Sequence, residues 1–179
     1  EHLGSFQVEL IRSRTANVMN DRLLLAGMLS SATLINRFFP PAQVYKEFYE
    51  SSEKLFDLLQ FPDIWALGYF KWELEFLATL GFGLDLEKCA VTGSTADLKF
   101  ISPKSGRAVS QAGAGEWSSK LLPFPIAASG QVNSLEDILD GLKVSQFFLE
   151  RKVLVAFGME QLPNARSRFI YLLEKKIRN

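Results

Sequence analysis

Apolar positions recur with a helical period over most of this chain, and the pattern shortens to strand-like runs near the start and in the middle. Asn20 or Asp21 can cap a helix on which Leu24, Met28, Leu29 and Ala32 recur at helical spacing, and Pro40-Pro41 breaks it. Pro41 opens a second helix with Val44, Phe48, Leu55, Phe56 and Leu59 facing the core. Phe61-Pro62-Asp63 is a turn, and Asp63 caps a third helix through Leu80. Its apolar face carries Leu67, Phe70, Leu74 and Leu77, with Trp65 and Trp72 on the flanks. Gly81 stands where a glycine ends a helix.

The middle changes period. Leu98-Lys99-Phe100-Ile101-Ser102 and Arg107-Ala108-Val109-Ser110 flank Pro103-Lys104-Ser105-Gly106, where Pro and Gly fit a type I turn closing a hairpin. Residues 111–131, rich in Gly, Ala, Ser and Pro, read mostly as loop with a short helical piece at Glu116 to Leu121. Ser134 with Asp137 is close to a capping box and starts a helix that runs to about Phe157, burying Ile138, Leu142, Phe148 and Leu149. Gly158 ends it. Pro163 opens the last helix, with Ala165, Phe169, Leu172 and Leu173 inward. At the other end, Phe6, Val8 and Leu10 alternate as in a half-buried strand with no obvious partner nearby. That predicts a chain beginning inside a larger protein; the alternative is an edge strand pairing with the later hairpin. The expected fold is mainly α, one helical domain with one small β-hairpin at about 85–113.

Composition narrows the function classes. A chain of 179 residues, 47% hydrophobic, can bury a core without disulfides or metal. It has no apolar run of the ~18 residues that span a bilayer and no secretory leader pattern. One Cys makes no internal disulfide, which points to a reducing, cytoplasmic setting. Lys plus Arg and Asp plus Glu balance at 20 each, so the chain as a whole is not a strongly basic nucleic-acid binder. The basic residues gather late: Arg151, Lys152, Arg166, Arg168, Lys175, Lys176 and Arg178 stand against Glu150, Glu160 and Glu174. Such an end serves as a solvated face or dipole complement as readily as a binding site.

Catalytic chemistry finds little support. His2 is the single His, and no HExxH, GxSxG, phosphate-loop or dinucleotide pattern occurs. Gly81-Phe82-Gly83 follows a helix, whose C-terminus has the wrong dipole sign for phosphate. Glu73 and Glu75 point to different helix faces and form no acid/base pair. Residues 85–113 have the layout of a zinc knuckle that keeps only Cys89; Thr92, Ser110 and Gly113 stand at the other candidate positions. A structural zinc site needs four thiolate or imidazole ligands. The expectation is therefore a buried free Cys89 and a hairpin held without metal by Leu98, Phe100 and Val109.

These same segments carry a resemblance. Leu80-Gly81-Phe82-Gly83-Leu84-Asp85-Leu86 with Cys89-Ala90-Val91-Thr92-Gly93, then Ser102-Pro103-Lys104-Ser105-Gly106-Arg107-Ala108-Val109-Ser110, resemble the RecO family in its alphaproteobacterial form. Leu121-Leu122-Pro123 and Phe148-Leu149-Glu150-Arg151 continue the likeness. Glu1-His2-Leu3-Gly4-Ser5-Phe6 with Glu9 and Ser13-Arg14 resembles the end of the family's N-terminal OB-fold, which puts residues 1–15 in an OB-fold remnant and linker, and 16–179 in the helical domain. The resemblance implies a non-enzymatic recombination mediator of DNA repair in the bacterial cytoplasm, associated with the nucleoid. It implies binding and annealing of single- and double-stranded DNA, association with RecR and the single-stranded-DNA-binding protein, and help in loading RecA.

Two groups of residues are candidates for these contacts. Arg166, Arg168, Lys175, Lys176 and Arg178, in or beside the last helix, are the candidate DNA phosphate contacts. Lys143, Phe147 and Arg151 follow at four-residue spacing along one helical face. They offer the apolar floor and the cation that an acidic, apolar-ended tail, the kind the resemblance assigns to the single-stranded-DNA-binding protein, would need. Two other readings stay open. One is a helical adaptor without DNA binding, which the zero net charge favours; the other is an enzyme domain whose site lies on a preceding part.

Overall fold

The structure is a computed structural model that describes residues 5, 7–9 and 13–179. Phe6 and Leu10, on which the early strand rests, lie outside the described residues; Val8 between them is 89% exposed. Helix α1 (Arg22–Phe38) is capped by Asp21, whose carboxylate accepts from the N–H of Leu23 at 2.9 Å and of Leu24 at 3.0 Å. Its buried face is not the predicted one. Leu24 is buried as expected, but Leu29 and Ala32 face outward, and Gly27, Ser30, Ser31, Leu34 and Phe38 point in. The reason is steric: a Cβ at Gly27 would lie 2.2 Å from the Trp65 ring, so small residues mark the inner face.

Helix α2 (Lys46–Asp57) starts later than Pro41 predicts, because Ala42 turns the chain at φ +65° and Val44 is left exposed. Phe48, Leu55 and Leu59 are buried as expected. Helix α3 (Pro62–Thr79) begins on Pro62, so Asp63 sits inside the first turn rather than at the cap. Trp65, Tyr69, Phe70, Trp72, Glu73, Phe76 and Leu77 are all buried, while Leu67 and Leu74 are half-buried. The two tryptophans are thus central, not flanking, because α3 is enclosed by α1, α2 and α5. Gly81, at φ +86°, ends it: the Gly81 N–H reaches Ala78 O at 2.9 Å and the Phe82 N–H reaches Leu77 O at 2.8 Å.

The hairpin pairs β1 (Leu98–Ile101) with β2 (Ala108–Ser110) in antiparallel fashion. Its loop is one residue longer than a type I turn: the Gly106 N–H bonds Ser102 O at 2.8 Å, with Gly106 at φ +69°. A third strand, β3 (Leu122–Pro123), lies against the other edge of β1 and gives the order β2-β1-β3. At two residues it is too short for a period to reveal it. Between them run α4 (Gln111–Ala114) and a tight 3-10 turn, Gly115–Lys120, at the predicted helical piece.

Helix α5 (Leu135–Phe148) opens on the Ser134–Asp137 capping box. It passes into a π-helical turn, Leu149–Val153, and a short α6 (Leu154–Ala156) before Gly158 at φ +63°. Ile138, Leu142, Phe148 and Leu149 are buried as predicted. Helix α7 (Asn164–Arg178) packs along α1, with the end of α7 beside the start of α1. Phe169 and Leu173 are fully buried, and the Phe169 ring lies 4.5 Å from Tyr69 and 5.8 Å from Trp65. A separate small core under the hairpin joins Cys89, Val109 and Ala114, with Leu98, Phe100 and Leu121 packed on it. No helix among the described residues is long and apolar enough to cross a membrane.

Candidate nucleic-acid interface

Helix α7 divides its basic residues between two sides. Arg166 points inward and is 1% exposed. Its Nε donates to Glu73 Oε2 at 2.7 Å and its Nη2 to Glu73 Oε1 at 2.8 Å. Nη2 also reaches Leu142 O at 3.0 Å, and Nη1 reaches Gln146 Oε1 at 3.2 Å. Glu73 in turn accepts from the Ser145 hydroxyl and from the Tyr69 hydroxyl at 3.2 Å, and Tyr69 shares a 2.6 Å hydrogen bond with Ser30. Burial alone would lower the Arg166 pKa; the Glu73 carboxylate outweighs it and leaves the guanidinium above its ordinary value. Burial, and then the Glu73 charge, hold the Tyr69 phenol well above its usual range. Arg166 is therefore corrected from a candidate phosphate contact to half of a buried ion pair, with Nε and Nη2 committed to Glu73 and Leu142 O in the core and Nη1 to Gln146.

The other four candidates stand on the accessible side. Arg168, Lys175, Lys176 and Arg178 are all exposed. Arg178 makes a 3.6 Å contact with Glu174 one turn back, a weak surface pair. Among the described residues no ion pair engages Arg168, Lys175 or Lys176. The fold adds a cation that no local pattern signals. A cleft of about 420 Å³ between the start of α1 and the end of α7 is lined by Arg22, Leu172, Lys175 and Lys176. Arg22 is more than 150 residues away in sequence, and only the antiparallel packing of the two helices brings it there. Asp21 also lines this cleft, but its carboxylate faces the N–H groups it caps.

The candidate tail-binding residues are arranged less favourably. Lys143 is exposed and ion-paired to Asp140 at 2.8 Å. Phe147 is half-buried, edge-on to Phe148 at 5.4 Å. Arg151 is exposed and lines a cavity of about 380 Å³ that also holds Glu150 and Glu160, two carboxylates unfavourable to an anion. A smaller cavity nearby, about 280 Å³, has Phe82 and Phe148 on its floor and Lys104 and Lys152 at its rim. Neither lysine has an ion pair among the described residues. The sequence hid this site because its two lysines come from the hairpin turn and the π turn.

The knuckle surrounds its one thiol with hydrogen bonds. Cys89 is 1% exposed, and its Sγ accepts from Ser110 N at 3.2 Å, Ser110 Oγ at 3.3 Å, and the N–H groups of Val91 and Thr92 at 3.4 Å each. Burial pushes the thiol pKa up, but the donors of Ser110 and Thr92 outweigh it and bring it down to about 6. Positions 89, 92, 110 and 113 do converge: Thr92 Oγ1 and Ser110 Oγ are 3.4 Å apart, and a Cβ at Gly113 would sit 2.8 Å from Cys89 Sγ. One sulfur, two hydroxyls and a glycine do not fit a zinc ion, and the space is already closed.

Comparison with known proteins bears on the whole chain. Residues 19–158 match the family described as recombination protein O C terminal. The DNA repair protein RecO of Ruegeria sp. (strain TM1040) is 44% identical over 179 residues, covering 99% of this chain and 74% of that protein. DNA repair protein RecO of Jannaschia sp. (strain CCS1) is 44% identical over 177 residues, 99% of this chain and 72% of its own length. That of Roseobacter denitrificans is 40% identical over 178 residues, with 99% and 74% covered. No solved structure matches the chain. With a family match over most of its length and relatives that it follows for nearly three quarters of theirs, this chain belongs to the RecO family of DNA repair and recombination proteins.

Proposed function

We propose that this chain is a non-catalytic mediator domain of homologous recombination. It binds single- and double-stranded DNA through phosphate contacts at the α7 corner, anneals complementary strands, and helps RecA load onto strands coated by the single-stranded-DNA-binding protein. The work belongs in the cytoplasm, at the nucleoid. The observation that carries this reading is membership of the RecO family across almost the entire chain. The accessible cations Arg168, Lys175, Lys176 and Arg178, with Arg22 beside them, supply a chemically suitable surface. RecR and the single-stranded-DNA-binding protein are the direct protein partners, and RecA is reached indirectly.

The acidic, apolar-ended tail of the single-stranded-DNA-binding protein docks on the α5 side of the domain. Two placements compete: Lys143, Phe147 and Arg151, or the cavity of Phe82, Lys104 and Lys152. Uncommitted lysines over an aromatic floor favour the second. Tail-peptide titrations of Lys143→Ala, Arg151→Ala, Lys104→Ala and Lys152→Ala separate them, with the larger loss expected in the last two.

The DNA reading is tested by titrating a labelled strand at several salt concentrations with Arg168, Lys175, Lys176 and Arg178 changed to Ala. Each phosphate contact removed lowers the salt slope by about one. An unchanged slope in the folded fourfold variant sinks it. The balanced charge of the chain favours the rival, an adaptor that binds RecR and the tail but not DNA; that reading expects no DNA affinity in the parent protein.

A further inference from the structure

The outer face of α7 carries an aromatic ring among its cations. With about 100° per residue, Arg168, Tyr171, Lys175 and Arg178 fall on one stripe, opposite the buried Arg166, Phe169 and Leu173. Tyr171 lies near the middle of that stripe and is 62% exposed. Arg168 stands one turn before it, Lys175 one turn after and Arg178 two turns after. Among the described residues no hydrogen bond or ring contact engages Tyr171. Glu174, the acidic side chain of α7, lies on the edge of the stripe against Arg178.

Other exposed rings lack this setting. Tyr49 on α2 has Lys46 one turn before it but the Glu53 carboxylate one turn after, and Phe61 lies between Asp57 and Asp63 in sequence. Trp117, on the hairpin side, already has the Lys120 ammonium 4.7 Å above its ring. Phe157, 41% exposed, already meets the Phe38 ring edge-on at 5.3 Å. Among the described residues only Tyr171 offers a free ring face with cations before and after it along the same ridge.

We propose that Tyr171 is a stacking platform for one base of single-stranded DNA, whose neighbouring phosphates are held by Arg168, Lys175 and Arg178. The inference rests on the DNA reading above and adds strand selectivity to it. Bases in a duplex are stacked on each other and present edges, not faces, to a convex helix. The cations reach phosphates in either form, whereas the ring gains a partner only where a base is unstacked. Tyr171 therefore distinguishes single strands from duplex at a site whose charges do not.

The test compares three labelled probes of equal length, an oligothymidine strand, an abasic strand and a duplex, against the parent chain, Tyr171→Ala, Tyr171→Phe and Lys175→Ala. Tyr171→Ala should weaken binding of the oligothymidine about fivefold or more, bring it level with the abasic strand, and leave the duplex unchanged. Tyr171→Phe should behave as the parent, because the ring and not the hydroxyl acts. Lys175→Ala should weaken all three probes and flatten the salt dependence. If Lys175→Ala behaves so while Tyr171→Ala binds every probe as the parent does, the stacking role is overturned and the DNA reading stands. If the parent binds none of the probes, or the α7 cations prove irrelevant, both fall. If Tyr171→Ala leaves DNA binding intact but loses an acidic tail peptide, the stripe is a protein-docking surface, and stacking is overturned. Circular dichroism of each variant checks that α7 is kept.

Discussion

The helical body and the hairpin knuckle each bury a group able to carry negative charge, and they answer it differently. Glu73 is fully buried in the body and is met by the guanidinium of Arg166, which lies 93 residues later in the chain. Cys89 is buried in the knuckle and is met by neutral N–H and O–H donors, all within 21 residues. The first answer joins α1, α3, α5 and α7 through Ser30, Tyr69, Glu73, Ser145 and Arg166, so it exists only when all four helices are in place. The second is complete within one short segment. A fault in the first should spread through the domain, and a fault in the second should stay local.

The widest gap between the two regions should come from Arg166→Met. It strands the Glu73 carboxylate in the core and should cost roughly 3–5 kcal/mol in urea unfolding. Adding Glu73→Leu should recover most of that loss, since an apolar pair needs no partner charge. A single variant within about 1 kcal/mol of the parent would erase the contrast.

The knuckle should answer to pH instead. The folded Cys89 thiol titrates near 6 against an ordinary value of 9.0, so its pKa is lowered by folding. Its contribution is fully present above the unfolded value and is lost as pH falls through the folded one. From about pH 8 to about pH 6 the knuckle should lose about 2 kcal/mol, read by hydrogen exchange of its amides. Cys89→Ala should remove that slope without affecting the body. Thiolate absorbance that persists only at alkaline pH would contradict the hydrogen-bonded anion.

Gly113→Ala sharpens the same contrast by overpacking. The new methyl meets Cys89 Sγ at 2.8 Å and should cost about 1 kcal/mol, confined to the hairpin. At the surface, Lys176→Ala should leave unfolding within about 0.5 kcal/mol of the parent while reducing the salt slope of DNA binding by about one. A chelator should shift neither region, and a shift at the knuckle would place a metal at Cys89.

How much of this was legible depends on how locally each feature is built. The caps at Asp21 and Ser134, the stops at Gly81 and Gly158, and the hairpin rest on adjacent residues, and the sequence shows them. The membership in a family was also legible, in the long segments around Cys89 and Gly106. The inner face of α1 was not, because Gly27, Ser30 and Ser31 turn inward under large rings and carry no apolar signal. Helix α3 is apolar nearly all round, so a one-sided stripe misplaces its tryptophans at the edge. Arg166 looks like its basic neighbours in sequence; only its phase on α7 and a carboxylate on another helix set it apart. The π turn at Leu149–Val153 uses ordinary helix-forming residues and leaves no composition mark.

The shared corner of α1 and α7 has a topological consequence. Because α1 and α7 run side by side and Asn20, Asp21, Arg22 and Leu23 line one cleft with Leu172, Lys175, Lys176 and Asn179, the start of α1 and the end of α7 meet. A short linker could join the end of α7 to the start of α1, and new termini could open in the exposed stretch 92–97 of the knuckle. Such a circular permutant should keep the Glu73–Arg166 pair while turning a contact between the two most distant helices into a local one. The cyclic order of the helices, rather than where the polypeptide is cut, would then specify the fold.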